Sequence, residues 1–362
     1  MKICVYAICK NESKFIDRWY ESVKEADYVC VLDTGSTDDS VEKLKKYPII
    51  LAQKSYTEFR FDIARNDSME LIPDDTDICV CVDLDEVFVT GWTQILKEHW
   101  NNHIGRVRYR YTWNFNPDGS EGVVFMADKI HRAKAYKWKY PVHEILTPIT
   151  TDNYQHLDLP NIQLNHYADN TKSRSCYLPL LEQSIRENPQ DDRNMHYLGR
   201  EYMFYGQYEK AIKTLKKHLN LPTATWSDER CASLRYIAKC YSLLGKKKKQ
   251  EEYLLRAIIE ASHVREPYFE AGVMYYEQKQ YLKACATFNQ MLKIKDRYLN
   301  YMSAPACWGS LPYDYLSMCY YYLKDYRRAI QCVDTAIKIS PDPRLLSNRN
   351  LFYELLKKTS KT

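Results

Sequence analysis

Four short apolar runs organise the first 86 residues, each giving way to a polar turn and then to apolar residues at helical spacing. Residues 2–9 carry Ile3, Cys4, Val5, Tyr6, Ala7 and Ile8 and read as a strand buried on both faces. Lys10-Asn11-Glu12-Ser13 ends it, and Asn11 or Ser13 is placed to cap a helix whose apolar positions are Phe15, Ile16, Trp19, Tyr20 and Val23. A second strand at 28–32 runs into Asp33-Thr34-Gly35-Ser36-Thr37-Asp38, where Thr37 or Asp38 caps the next helix. Residues 48–53 form a third strand, and Phe61, Ala64, Ser68, Leu71 and Ile72 mark the helix after it. The fourth strand, 78–82, passes directly into Asp83-Leu84-Asp85-Glu86. Strands separated by helices predict a parallel α/β sheet.

From Val107 the pattern becomes alternating and aromatic, through Tyr109, Tyr111 and Trp113. With the turn Asn116-Pro117-Asp118-Gly119 it predicts an added antiparallel section. A connecting helix is expected at 171–188, and beyond it the chain repeats itself. Leu198-Gly199 with Tyr202 is echoed by Ile237-Ala238 with Tyr241, Ala271-Gly272 with Tyr275 and Leu316-Ser317 with Tyr320, and Ala211, Ala284 and Ala329 follow at matching places. The second repeat has Gln250 where the others have Ala. Uneven offsets predict inserts, chiefly at 298–311; residues 345–356 read as a capping helix, and 357–362 as a fraying tail. Small residues at fixed positions let paired helices approach closely, so this half reads as a stack of helix hairpins. Two domains are expected, 1–170 and 171–362.

Composition narrows the class. No apolar run approaches the ~20 residues that a membrane span needs, and the first residues lack a signal-peptide pattern, so a cytoplasmic protein is expected. The 12 cysteines are scattered, and Cys79 and Cys81 lie inside the fourth strand. They read as reduced small hydrophobes rather than a disulfide framework or zinc site. Residues 1–170 carry 20 Lys and Arg against 27 Asp and Glu, and residues 171–362 carry 32 against 20, which together give the chain's +5. A basic second half suits an acidic acceptor, an anionic surface or nucleic acid. Its aromatic residues, however, occupy repeat positions instead of interleaving with Lys and Arg on one face, so no nucleic-acid partner is expected. The run Lys246-Lys247-Lys248-Lys249 reads as a solvated loop.

Three carboxylates within four residues at the end of a buried strand are costly unless positive charge meets them. A divalent cation would do so through oxygen ligands, at the strand ends where ligands collect in open α/β sheets. A solvated acidic turn explains the same letters. Asp33 is placed to accept hydrogen bonds from a base or ribose, while its acidic neighbours would repel a phosphate. There is no G-x-G-x-x-G to support a dinucleotide fold. Arg65, on the helix before the fourth strand, suits a diphosphate or base, or a surface pair with Glu58 or Asp62.

Taken together, Lys10-Asn11-Glu12 after the first strand, Val31-Leu32-Asp33-Thr34-Gly35-Ser36-Thr37-Asp38, Phe61-Asp62-Ile63-Ala64-Arg65-Asn66 and Val82-Asp83-Leu84-Asp85-Glu86 resemble the family 2 nucleotide-diphospho-sugar glycosyltransferases of GT-A fold. The four motifs stand in family order over residues 2–90. The resemblance implies an α/β, Rossmann-like GT-A domain. It implies a nucleotide-sugar site of Ala7, Glu12, Asp33, Arg65, Asp83 and Leu84, and a Mn2+ or Mg2+ ion on Asp85 with His166 completing its shell. Tyr140-Pro141-Val142-His143-Glu144 resembles the V-H-E segment of one branch, which makes Glu144 the candidate base of an inverting transfer and His143 an acceptor contact. No Q-x-x-R-W is present, which argues against processive polymer synthesis. The second half resembles tetratricopeptide repeats, and the pairing is similar to the bacterial set that includes the peptide S-glycosyltransferases of glycosylated bacteriocins. The expected partners are a nucleoside diphosphate sugar, UDP-linked, and a hydroxyl or thiol acceptor on a peptide, protein or glycan. The repeats are expected to recruit that acceptor or to join two copies as a homodimer. The competing reading is an inactive GT-A and repeat scaffold.

Overall fold

The structure, a computed structural model, describes residues 1–169 and 175–359. Its contacts divide it into two units, Met1–Asn188 with Leu299–Tyr301 and Pro189–Tyr298 with Met302–Thr362. The boundary expected at 170/171 lies outside the described residues, as do 360–362 of the expected tail. The helix expected at 171–188 is described as Tyr177–Glu187 and belongs to the first unit.

In the first unit the chain runs β1 (Ile3–Cys9), α1 (Ile16–Val23), β2 (Tyr28–Asp33), α2 (Ser40–Leu44), β3 (Ile50–Gln53), α3 (Phe61–Met69), β4 (Ile78–Cys81), β5 (Glu86–Phe88), α4 (Trp92–His99), β6 (Ile104–Thr112), β7 (Val124–Arg132), β8 (Tyr136–Lys139), β9 (Ile145–Pro148), β10 (Gln155–His166) and α5 (Tyr177–Glu187). The first four strands are parallel in the order β3-β2-β1-β4, as the alternation of apolar runs and helices predicts. β7 then pairs antiparallel with both β4 and β6, β10 runs parallel to β6, and β5 closes the edge antiparallel to β10. The expected antiparallel section is therefore mixed. β1 and β4 are buried on both faces. Trp19, Val23, Trp92 and Leu96 of α1 and α4 cover one face, and the other carries Cys4, Tyr6, Cys30, Cys79 and Cys81 in a cluster with Trp138 and Leu146 of the β8–β9 hairpin.

Two capping expectations fail for one reason. Phe15 takes the cap position of α1 without a side-chain bond. Asn11, at φ 55°, instead accepts from the N–H groups of Thr37 at 2.7 Å and Asp38 at 3.4 Å, so it ties the loops after β1 and β2 together. Ser13 donates its N–H to Asp38 at 3.3 Å, and its carbonyl accepts from Lys43 Nζ at 3.0 Å. Asp38 in turn accepts from Ser40 N–H at 3.0 Å, next to the cap residue Asp39 of α2.

The second unit comprises α6 (Asp192–Phe204), α7 (Tyr208–Leu219), α8 (Ser227–Leu243), α9 (Lys247–Glu260), α10 (Glu266–Glu277), α11 (Tyr281–Met291), α12 (Leu311–Tyr322), α13 (Tyr326–Ile339) and α14 (Pro343–Thr359). The repeated tyrosines have a backbone meaning. In successive hairpins the N–H groups of Gln207, Lys246, Gln280 and Asp325 donate to the carbonyls of Tyr202, Tyr241, Tyr275 and Tyr320, at 2.8, 2.8, 2.9 and 2.9 Å. This six-to-one closure needs one left-handed residue per turn. Gly206 and Gly245 supply it in two hairpins, Lys279 (φ 60°) and Lys324 (φ 62°) in the others. Ala211, Ala284 and Ala329 are fully buried, and Gln250 at the matching place is half-buried. The lysine run is not a loop, because Lys247 to Lys249 form the exposed first turn of α9. The insert at 298–311 carries one 3-10 turn, Pro305–Cys307.

A left-handed backbone costs a residue with a Cβ about 1 kcal/mol or more. Lys279 is exposed, so Lys279→Gly is expected to raise the unfolding midpoint of the repeat unit by about 2–4 °C. A thermal scan showing no rise would contradict the turn assignment. A second test concerns pH. His131 is fully buried on β7, with Nδ1–H donating to the Arg132 carbonyl at 3.0 Å and Nε2 accepting from Tyr6 Oη at 2.9 Å, while Tyr6 accepts from Trp138 Nε1 at 2.8 Å. Burial lowers its pKa from 6.5 to about 4. The unfolded chain therefore takes up this proton first, and stability present above pH 6.5 is lost as pH falls toward 4, by about 3 kcal/mol. The pH dependence of denaturant midpoints should be shallower across that window in His131→Gln.

Candidate active site

The site grows from the C-terminal ends of the parallel strands. β1 lies between β2 and β4, and strand order reverses across it, which opens a crevice at its carboxyl end. Asp33 ends β2 opposite Cys9, and Asp83 follows β4. The strands that carry them are two strand spacings apart, roughly 10 Å. Asp33 is fully buried; its Oδ1 accepts from the N–H groups of Gly35 at 3.1 Å and Ser36 at 3.0 Å. Its Oδ2 is buried without a partner among the described residues. Glu12 lies in the adjoining loop, its N–H donating to Ser40 Oγ at 2.9 Å. Ala7 and Leu84 are buried in the apolar core, so only their main-chain atoms are left to face a ligand.

Arg65 gathers the centre. Its side chain is 6% exposed, with Nη1 donating to Asp83 Oδ1 at 2.8 Å, Nη2 to Asp83 Oδ2 at 3.1 Å, Nε to Glu144 Oε1 at 2.5 Å, and Nη1 also facing Cys81 Sγ at 3.0 Å. The next residue explains its aim. Asn66 bonds both ways to the main chain of Trp138, at 2.8 and 2.9 Å, so α3 is stitched to β8. Phe61 N–H donates to the Pro141 carbonyl at 3.0 Å, which fixes the loop that carries Glu144. That loop is irregular. Tyr140 (φ 84°) and His143 (φ 50°) are left-handed there, and the His143 ring stacks on Tyr177 at 5.8 Å. Strain of this kind persists where surrounding bonds over-determine it. The surface pairing weighed for Arg65 falls instead to Arg60, which meets Asp62 at 2.9 Å.

Two groups not foreseen complete the cluster. Lys129 of β7 donates to Asp83 Oδ2 at 2.8 Å and Glu86 Oε1 at 2.9 Å, and Tyr111 of β6 donates to Glu86 Oε1 at 2.7 Å. Glu86 Oε2 accepts from Asp83 N–H at 2.8 Å, which closes the acidic turn on itself. Burial opposes the charge on Asp83, but Arg65 and Lys129 outweigh it and hold that carboxyl far below the usual range. Glu86 goes the other way: burial raises its pKa, and Lys129 offsets only part of the rise. In sequence, Lys129 is one polar letter on an alternating strand. Only its register beside β4, with Val80 opposite Ile130, brings it to the turn.

Asp85 stands apart from this network. Its Oδ2 lies 3.3 Å from Nε2 of His166, at the end of β10. His166 Nδ1 donates to the Trp113 carbonyl at 2.9 Å, which fixes the tautomer and turns Nε2 toward Asp85, and the Trp113 ring stacks on it at 4.5 Å. Burial pulls the His166 pKa down, but the bond to Asp85 more than reverses this, so it is raised. A carboxylate beside an imidazole anchored through its far nitrogen fits a Mn2+- or Mg2+-type ion that takes its remaining ligands from a diphosphate and water. Among the described residues no three His, Cys, Asp or Glu side chains are gathered to hold an ion by themselves.

Residues 4–145 match the family model described as Glycosyl transferase family 2, and residues 310–343 that described as Tetratricopeptide repeat. The N-terminal unit is a glycosyltransferase domain. It is GT-A-like, and the helical unit after it is tetratricopeptide-like. No curated protein matches the chain. Among solved structures the chain is similar to MamA, at 17% identity and TM-score 0.37 over 54% of this chain and 99% of that one. It is also similar to a thermophilic repeat protein of Thermus thermophilus, at 19% and 0.34 over 49% and 88%, and to BtubC from P. vanneervenii, at 15% and 0.40 over 52% and 83%. Likeness at that level carries no functional weight. Among the described residues no helix is long and apolar enough to cross a membrane.

Removing one partner from a buried ion cluster leaves uncompensated charge and costs about 3 kcal/mol or more. Arg65→Leu is therefore expected to lower the denaturant midpoint of the first unit strongly. Arg65→Lys should restore less than half of the loss, because an ammonium lacks the planar fork that meets both oxygens of Asp83 on one edge and Glu144 through Nε. Wild-type stability in Arg65→Leu would contradict this account.

Proposed function

We propose that the glycosyltransferase domain is a metal-dependent inverting enzyme acting in the cytoplasm. It moves a sugar from a UDP-linked donor to a hydroxyl or thiol on a peptide, protein or glycan acceptor. The observation that carries the reading is the convergence of Arg65, Asp83 and Glu144 at the β4 end, with Asp85 on the same turn facing His166 of β10. Asp33, with its unpartnered Oδ2, suits a donor group on the nucleotide base or ribose, which would repay the cost of that burial. Arg65 supplies fixed positive charge beside the leaving diphosphate. A cation on Asp85 and His166 would act there as a Lewis acid.

Glu144 takes the acceptor proton. Its Oε1 is held by Arg65, while Oε2 has no protein partner among the described residues, so the carboxylate is oriented yet keeps one free oxygen. An acceptor that ionises easily needs less help from Glu144. A cysteine thiol on a peptide is such an acceptor, since thiols ionise nearer neutrality than hydroxyls. The repeat unit supplies a surface for recruiting a peptide or for pairing two copies. Free cysteines, nearly all buried, suit a reducing compartment.

The test is to incubate the full chain with Mn2+ and a panel of UDP- and GDP-sugars, with and without peptide and glycan acceptors, and to follow nucleotide release. Release is expected with a UDP-sugar, falling at least about 100-fold in Asp85→Ala and in Glu144→Gln. If no donor releases nucleotide under any condition, the enzymatic reading of this domain fails.

A further inference from the structure

Three carboxylates crowd the turn after β4, yet their surroundings divide them sharply. Both oxygens of Asp83 are taken, Oδ1 by Arg65 Nη1 at 2.8 Å and Oδ2 by Arg65 Nη2 at 3.1 Å and Lys129 Nζ at 2.8 Å. Lys129 also holds Glu86 Oε1 at 2.9 Å, and Glu86 Oε2 holds the Asp83 N–H at 2.8 Å. These bonds form a closed ring: carboxylate of Asp83, ammonium of Lys129, carboxylate of Glu86, main chain of Asp83. Asp85 alone is outside it, with His166 at 3.3 Å.

We infer that Lys129 is a positioning residue that locks Asp83 away from the metal ion and so reserves Asp85 as the ion's carboxylate ligand. The inference rests on the proposed metal-dependent transfer. Arg65 cannot do this alone. Its guanidinium is shared with Glu144 and Cys81 and approaches Asp83 from the α3 side, whereas Lys129 approaches Oδ2 from β7. Charge-assisted bonds of this length are strong in a half-buried site, where the Lys129 side chain is 24% exposed. An ion that took Oδ2 as a ligand would have to displace the ammonium first. The ring also fixes the turn geometry, because moving Lys129 releases Glu86, and Glu86 holds the peptide of Asp83.

The experiment measures ion binding on the full chain by titrating Mn2+ in the presence of UDP, with a parallel GDP arm. Calorimetry gives the affinity, and Mn2+ spin resonance gives the number of bound waters. Lys129→Met should bind Mn2+ about tenfold tighter, the scale on which neighbours of metal ligands act, and with one fewer bound water as Asp83 Oδ2 enters the shell. Lys129→Arg should return both readings to wild type. Loss of a nearby positive charge could also tighten binding, so Lys129→Met is repeated in an Asp83→Asn background. The gain should vanish there if it runs through Asp83, and a gain of equal size in both backgrounds would overturn the inference. Lys129→Gln, which keeps two N–H donors for the carboxylates, serves in place of Met if the Met variant does not fold, with the same outcomes read. Unchanged affinity and water count in both neutral variants would also overturn it. Asp85→Asn separates the two levels. If it leaves Mn2+ binding intact, the proposed metal site fails; if it abolishes binding while the Lys129 variants behave as wild type, only the role of Lys129 fails.

Discussion

The buried guanidinium of Arg65 is the constraint on which the catalytic unit depends. It meets Asp83 on one edge and Glu144 on another, 79 residues further along the chain. Neither carboxylate could lie in this half-buried crevice uncompensated, and a point charge would not meet both oxygens of Asp83 and Glu144 from separate edges, since it lacks the planar fork. Asn66, the next residue on α3, grips β8 through its amide, and the Trp138 ring lies 5.2 Å from the guanidinium. The helix, the hairpin and the turn after β4 are thereby held to one geometry.

That geometry joins two halves with different logic. The parallel strands up to β4 are local products of strand, turn and helix, and they deliver acidic groups at their carboxyl ends. Every side chain that answers the acids of the turn after β4, apart from Arg65, comes from the later mixed section: Lys129 on β7, Tyr111 on β6 and His166 on β10. Delivery of those groups depends on register. A slip of one residue in the β4–β7 pairing would turn Lys129 to the opposite face.

This difference decides what was legible in the chain. The four parallel strands and the hairpin repeats followed from periodicity, which is local, and the grouping of Arg65 with Asp83 from the resemblance carried by the ordered motifs. Lys129 and Tyr111 were not legible, because their roles exist only once non-local register is set. Asn11 misled for a related reason: its letter suits a helix cap, but a competing loop 26 residues away offers its amide two N–H groups. His143 sits in a loop whose left-handed backbone no composition rule foretells. In the repeats the tyrosine spacing was visible. Its cause, carbonyls closing six-residue turns, was not, because two of those turns use Lys where Gly would be the expected sign.

The acidic turn shows how neighbours, rather than residue type, assign chemistry. Asp83, Asp85 and Glu86 carry the same functional group within four positions, yet Asp83 is held charged by two cations, Glu86 is pushed toward its neutral form by burial, and Asp85 faces an imidazole. Leu84, buried between the aspartates, separates their directions so that each meets a different strand. With Glu86 left out of the count, Arg65 and Lys129 still stand against three carboxylates, Asp83, Asp85 and Glu144, so the cluster carries net negative charge while His166 is neutral. A diphosphate would be repelled by that excess. On the proposed reading, an anionic donor entering here would be met by a cation at Asp85, the one carboxylate of the turn that neither Arg65 nor Lys129 pairs with.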